Sequence, residues 1–217
     1  MEDWNEKLLE AATIGRVAEL KLCLANGANI DYRKEYGGWT ALMLAARFGH
    51  VEVCRLLLEN RCETDITSGG GWTALMLVAR GGHVEVCRLL LENRCKTDIT
   101  DVRGWTALMS AASEGHVEVC QLLLENRCKT DITYVDGKTA LHLAAEWGYL
   151  QTTRCLVEEG DISPLVKTHQ GKTPYDLAAA GKNGQYKEVM EYLQVHILLN
   201  YICLHLEQIR YKTQSVR

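Results

Sequence analysis

A block of six residues, Gly-Trp-Thr-Ala-Leu-Met, occurs three times at fixed spacing and constrains the fold of this chain more than any other feature. It occupies residues 38–43, 71–76 and 104–109, which is a period of 33 residues. The frame continues as Gly-Lys-Thr-Ala-Leu-His from Gly137 and, one residue late, as Gly-Lys-Thr-Pro-Tyr-Asp from Gly171. A period of this length is typical of a solenoid, in which each repeat packs against its neighbours.

Each unit has the pattern of two short helices joined by a turn. In one unit Leu42, Ala45 and Ala46 have helical spacing, Gly49 interrupts them, and the apolar spacing resumes within 51–58. A turn-rich segment follows and predicts a projecting hairpin. Helices this short cannot bury their apolar faces alone, so we expect the units to stack around one continuous core.

The units resemble ankyrin repeats. Thr-Ala-Leu-His-Leu-Ala-Ala from Thr139 and Thr-Pro-Tyr-Asp-Leu-Ala from Thr173 are similar to the ankyrin signature Thr-Pro-Leu-His-x-Ala-Ala. The resemblance implies an all-α ankyrin-repeat solenoid of about six helix-turn-helix repeats with short β-hairpin loops. The implied repeat domain is 1–193, with repeats at 4–36, 37–69, 70–102, 103–135, 136–169 and 170–193.

Two departures from the ankyrin signature recur in the three middle units. The signature histidine is replaced by Met43, Met76 and Met109. The glycine that closes the second helix is replaced by Arg61, Arg94 and Arg127. A left-handed residue other than glycine costs about 1–2 kcal/mol. We therefore expect either backbone strain at these arginines or a helix that ends in another way.

Residues 194–217 lie outside the repeat register and predict a separate amphipathic helix with a short tail. Its apolar stripe consists of Val195, Leu198, Leu199, Ile202, Leu206 and Ile209. One interpretation is a cap over the last repeat, and the other is a surface that docks a second protein. The segment from Leu199 to Cys203 is similar to the Leu-x-x-x-Cys core by which ankyrin-bearing ubiquitin-ligase adaptors bind elongin. That similarity implies an alternative function, the substrate-recognition subunit of a ubiquitin ligase.

Charge and motifs exclude several classes of function. The net charge of −4 provides no basic patch for nucleic acid. The first residues are acidic without an apolar core, and no apolar run is long enough to cross a membrane, so we expect a cytoplasmic protein, with the nucleus as the other compartment. The sequence contains no phosphate-binding glycine loop, nucleophile elbow or metalloprotease motif. We therefore predict neither enzymatic activity nor a cofactor.

Histidine and cysteine recur four residues apart, as at His50 and Cys54, and this spacing permits a metal site. Each unit supplies only one such pair, however, and the cysteine occupies a position where the family places a small core residue. We therefore interpret the cysteines as buried thiols and the histidines as part of the turn.

The resemblance also implies which positions lie on the concave face that meets partners. These are the hairpin tip, the residue before the signature threonine and the two residues after Ala-Ala. The predicted partner-binding residues are Tyr36, Trp39, Arg47, Phe48, Trp72, Arg80, Trp105, Glu114, Tyr134, Glu146 and Trp147.

Aromatic residues and arginine are enriched in binding hot spots, so this set predicts a protein-binding scaffold or adaptor, which we expect to be monomeric. The arginines at one end and the glutamates at the other would orient a partner segment. The alternative is that Trp39, Trp72 and Trp105 are one framework residue copied by duplication and packed as scaffold.

Overall fold

The computed structural model describes residues 3–34, 37–181 and 184–214, with side chains up to Ile202. Within these ranges the helices follow one another in pairs and no strand forms. The first helices of the pairs are α1 (Trp4–Ile14), α3 (Ala41–Arg47), α5 (Ala74–Gly81), α7 (Ala107–Glu114), α9 (Ala140–Glu146) and α11 (Pro174–Ala179). The second helices are α2 (Val17–Ala25), α4 (Val51–Glu59), α6 (Val84–Glu92), α8 (Val117–Glu125), α10 (Leu150–Glu158) and α12 (Gly184–Gln214). The predicted all-α solenoid is confirmed.

The repeated threonine begins the first helix of its unit. The Thr73 hydroxyl accepts a hydrogen bond from the backbone N–H of Met76 at 3.3 Å, and Thr40 and Thr106 make the same bond. At the other end of the helix, Gly82 has φ +68°, a left-handed conformation that glycine adopts without steric cost. The threonine and the glycine thus set the length of this helix and the turn into the next.

The second helices end on an asparagine followed by an arginine. The Asn93 side-chain amide donates to the Leu89 carbonyl at 2.8 Å, which satisfies one of the free carbonyls of the last turn. Arg94 then has φ +59°, and Arg61 and Arg127 have the same conformation. The expected strain is therefore present, and the asparagine bond is the local interaction that accompanies it.

The helices form two layers around a core that is continuous through the first five units, and a second cluster of buried residues joins the last unit to the fifth. Successive first helices pack more closely together than successive second helices do, so the stack curves with the first helices on its concave side. Leu57, Leu90 and Leu123 are fully buried between the layers. Met76 is buried as well and fills the position of the signature histidine with an adaptable apolar side chain.

Neighbouring units are also joined by hydrogen bonds at both ends of the helices. The His83 ring nitrogen Nε2 lies 3.1 Å from the Arg47 carbonyl oxygen of the preceding unit. At the loops, the Asp65 carboxylate accepts a bond from the backbone N–H of Lys96 at 2.9 Å. The histidines are thus scaffold residues of the turns, as the sequence predicts.

The predicted β-hairpins are tight turns in the structure. The backbone N–H of Ser68 donates to the Trp72 carbonyl at 2.9 Å, and Gly71 donates to the Ser68 carbonyl at 2.9 Å. One further bond, from Gly69 to the Gly37 carbonyl, connects this turn to the preceding one. These few bonds close the loop but do not form a ladder of strands.

The prediction of a separate helix beginning at residue 194 is wrong. Helix α12 begins at Gly184 and runs through residue 194 without a break, because neither glycine nor proline interrupts 185–214. Its buried residues Val189 and Leu193 cover the last unit by packing on Ala145 and Ala178. The predicted apolar stripe is exposed from Val195 to Ile202, so the interpretation of these residues as a cap is also wrong. No helix in the described ranges is long and apolar enough to cross a membrane.

Candidate functional site

The three tryptophans that precede the signature threonines lie on the concave side of the stack. Trp39, Trp72 and Trp105 are half-buried and pack against the core. Their remaining surface lines a series of clefts. These side chains therefore pack on the scaffold and contribute to the concave surface at the same time.

In two units an arginine stacks on the tryptophan. The Arg47 guanidinium lies 5.5 Å from the Trp39 ring centroid, and the Arg80 guanidinium lies 5.8 Å from that of Trp72. In each unit the tryptophan precedes the first helix and the arginine lies in its last turn, so the long arginine side chain reaches back along the helix to the ring. The contact is a cation–π interaction and holds each arginine on the concave side.

In the fifth unit the same two positions carry an ion pair instead. The Lys138 amine lies 2.9 Å from the Glu146 carboxylate and 3.2 Å from that of Asp136. Burial lowers the pKa of the lysine. The hydrogen bonds to the two carboxylates raise this pKa by more than burial lowers it, so the net shift is upward. Lys138 is therefore positively charged and held by Glu146.

One cleft, here called the aromatic cleft, has a volume of about 660 Å³ and lies across the third, fourth and fifth units. Its aromatic lining consists of Trp72, Trp105, Tyr134, Trp147 and Tyr149. The Trp105 and Tyr134 rings meet edge to face with their centroids 5.1 Å apart. The indole N–H of Trp105 donates to the Ser110 hydroxyl at 2.8 Å, which fixes its ring. Trp147 is 54% exposed at the rim.

Charged groups border the aromatic cleft on two sides. The Arg80 guanidinium lies 3.7 Å from the Glu114 carboxylate, so the two form an ion pair across neighbouring units. On the loop side, Arg103 donates to the Tyr134 hydroxyl at 3.3 Å, and this bond raises the pKa of the arginine. The cleft thus combines aromatic side chains with charged groups at its border, and both are common in protein-binding sites.

Smaller grooves continue the concave face toward the first unit. A groove of about 510 Å³ lies between the second and third units, and one of about 560 Å³ lies between the first and second. Phe48 is 49% exposed, and its ring lies 5.6 Å from the Arg47 guanidinium.

The structure brings most of the predicted binding residues together. Those that line the aromatic cleft are Trp72, Arg80, Trp105, Glu114, Tyr134 and Trp147. Trp39 and Arg47 line the smaller grooves. Glu146 is not in the cleft lining but is paired with Lys138. Tyr36 lies outside the described residues.

Arg103 and Tyr149 are among the residues of the aromatic cleft that sequence analysis missed. Arg103 lies in a loop, a position that the repeat pattern leaves free. Tyr149 occupies the turn position held by histidine in the preceding units and lies against Gly115. The tyrosine in place of the repeated histidine is the sequence signal that marks this residue.

The repeat cysteines and the segment from Leu199 to Cys203 do not contribute to the aromatic cleft. Burial raises the pKa of the Cys54 and Cys87 thiols to about 12. Among the described residues, no three histidine, cysteine or acidic side chains form a metal-binding group. Leu199 is exposed on α12, and the Cys203 side chain is outside the described residues.

Comparison with known proteins identifies the repeat. Family models described as ankyrin repeats match residues 8–58, 60–135 and 126–200. Protein phosphatase 1 regulatory subunit 12A of Mus musculus is 40% identical over 55 residues, which are 25% of this chain and 5% of that protein. The human NAD-capped RNA hydrolase NUDT12 is 39% identical over 58 residues, or 27% of this chain and 13% of the hydrolase.

A third relative carries the repeat in its name. Ankyrin repeat domain-containing protein 40 of Mus musculus is 29% identical over 65 residues, or 30% of this chain and 18% of that protein. The chain thus spans only a small part of the length of these relatives, and the likeness concerns the repeats alone. Since the family matches together extend from residue 8 to residue 200, the chain belongs to the ankyrin-repeat family.

Proposed function

We propose that this chain is a scaffold or adaptor that binds a segment of a partner protein along its concave face. Ankyrin repeats are protein-interaction units, and stacked repeats create extended concave surfaces for this purpose. The observation that carries the proposal is the aromatic cleft, in which side chains of three successive units surround about 660 Å³ of open volume. Tryptophan and tyrosine bury a large area on binding and lose little rotamer entropy.

Trp147 distinguishes binding from simple duplication of a framework residue. The equivalent positions in the preceding units are Phe48, Gly81 and Glu114, so no repeated tryptophan explains it. It is also exposed, whereas a framework residue would be buried in the core. A large exposed indole next to the aromatic cleft favours a surface that a partner covers.

The proposal includes a cytoplasmic or nuclear site of action. The cysteines of the repeats are buried thiols without disulfides, as is typical of proteins in reducing compartments. Catalysis is not part of the proposed function, because ankyrin repeats are protein-binding units.

Replacement of Trp147 by alanine tests the aromatic cleft. Affinity capture from cell extract with W147A should lose partners that the wild-type chain retains, while helicity and the urea midpoint stay unchanged. The matched control is Leu22→Ala on α2, because Leu22 is 55% exposed but lies away from the clefts. Retention of the same partners by both variants would contradict the proposal.

The ubiquitin-ligase alternative stays a prediction. It requires the segment from Leu199 to Cys203, and a chain that ends at Gln194 lacks this segment while retaining the buried residues of α12. Loss of elongin from the captured proteins on this truncation, with the concave-face partners retained, would support the alternative. Captured proteins that contain no elongin before truncation would exclude it.

A further inference from the structure

The groove between the second and third units, here called the arginine groove, differs from its neighbours in charge. Its lining consists of Trp39, Arg47, Trp72, Leu77, Arg80 and Gly81. The lining contains two guanidinium groups and no carboxylate. The groove between the first and second units, by contrast, includes Glu6 and Glu10, and the aromatic cleft includes Glu114.

The two arginines of this groove differ in whether a carboxylate pairs with them. Arg80 is paired with Glu114, which follows it by 34 positions. The residue 34 positions after Arg47 is Gly81, which has no side chain to pair with. Arg47 therefore stacks on the Trp39 and Phe48 rings but has no ion-pair partner among the described residues. The equivalent place in the other units carries Phe48, Glu114 or Trp147.

We propose that the arginine groove binds an aspartate or glutamate side chain of the partner segment, with Arg47 as the residue that pairs with it. This inference rests on the proposed function and specifies the chemistry of the partner. A guanidinium presents its hydrogen-bond donors in one plane and matches a carboxylate in a bidentate geometry. Because Arg47 is already held against two rings, less side-chain entropy is lost when it pairs.

The arginine groove is continuous with the aromatic cleft. Trp72 and Arg80 line both. An extended segment lying along the concave face therefore contacts the two sites in succession, with an acidic residue at Arg47 and apolar side chains near Trp105 and Trp147. The charges then determine the direction in which the segment lies.

The repeat itself supplies the variant that tests this assignment. Gly81→Glu places a carboxylate where the next unit has Glu114 and should pair with Arg47 as Glu114 pairs with Arg80. A Cβ at Gly81 would lie 2.5 Å from the His83 ring, so that ring must shift. The equivalent His116 keeps its bond to the Arg80 carbonyl with Glu114 two positions before it, so the turn accommodates the side chain. Gly81→Gln is the uncharged control of nearly the same size.

The experiment is selection of random twelve-residue peptides by display on the full chain, followed by affinity measurement on one selected peptide. We expect the selected peptides to share an aspartate or glutamate. Affinity should fall about tenfold with Gly81→Glu and with Arg47→Ala, and by less than about threefold with Gly81→Gln. Replacing the peptide acid by its amide should cost a similar factor with the wild-type chain and little with Arg47→Ala, because the pair is then already broken.

The outcomes separate this inference from the proposed function. Selected peptides without a shared acid, or equal losses with Gly81→Glu and Gly81→Gln, would overturn the role of Arg47. If binding of those peptides were still lost with Trp147→Ala, the proposed concave-face function would stand. A library from which no peptide binds would contradict both.

Discussion

At the scale of single residues, the middle units retain an unfavourable backbone conformation in three copies. Arg61, Arg94 and Arg127 have positive φ where most ankyrin units have glycine. The asparagine before each arginine bonds to the helix but does not remove the steric cost at the arginine itself. These arginines are exposed, so no packing interaction of their side chains offsets that cost.

Arg94→Gly should raise the free energy of unfolding by about 1 kcal/mol, because glycine adopts the left-handed conformation without strain. The measurement is urea denaturation followed by far-ultraviolet circular dichroism. Arg88→Gly is the matched control: Arg88 is exposed in the interior of α6, where glycine costs about 1 kcal/mol. A lower midpoint for both variants would show that the left-handed arginine is not strained.

At the scale of elements, α12 has two parts with different roles. Up to Leu193 it is the second helix of the last unit and buries apolar side chains against it. From Val195 to Ile202 it extends beyond that contact, and the exposed apolar residues there are Val195, Leu198, Leu199, Tyr201 and Ile202. Only the first part of this continuous helix therefore covers the last unit.

Leu193→Ala should cost about 3 kcal/mol and Leu198→Ala less than about 0.5 kcal/mol. Leu193 is 0% exposed and Leu198 is 55% exposed, so only the first substitution creates a cavity. Thermal unfolding of the two variants measures the difference between two leucines of the same helix. Equal destabilisation would mean that the second part of α12 packs against the protein.

At the scale of the whole molecule, the stack closes one core that extends through consecutive units. Cys54, Cys87 and Cys120 occupy equivalent places in that core and are fully buried. Burial raises their thiol pKa values, so the thiolate form that reacts with alkylating reagents is suppressed near neutral pH. Thiol reactivity therefore reports on whether the stack is closed.

Iodoacetamide at pH 8 should label these three cysteines at least about 100-fold more slowly in the native chain than in urea. The thiolate fraction rises as pH approaches a thiol's pKa. The unfolded pKa of 9.0 is closer to pH 8 than the native pKa of about 12 of Cys54 and Cys87, and burial also raises the pKa of Cys120. Mass spectrometry of peptic fragments gives the rate at each cysteine. Native labelling as fast as in urea would contradict a continuous closed core.

The repeated blocks allowed the solenoid to be predicted from sequence. They left open whether Arg61, Arg94 and Arg127 are strained or the helix ends in another way, and the structure shows positive φ at all three. They also placed Trp72, Trp105 and Trp147 on one face, because position within a repeat determines position on the stack. Tyr149 was missed because it lies in a scaffold position, and its contribution depends on the curvature that brings three units around one cleft.

The sequence by itself thus determined the repeat, its local caps and the side of the stack on which each residue lies. These properties depend on residues close together in the chain, whose spacing is a matter of helical geometry. Only the tertiary structure decided which charges pair, so that Arg80 meets Glu114 while Arg47 has no ion-pair partner among the described residues. Only the packing of α12 on the last unit decided that Leu193 is buried and Leu198 is exposed, because only the first part of α12 contacts that unit.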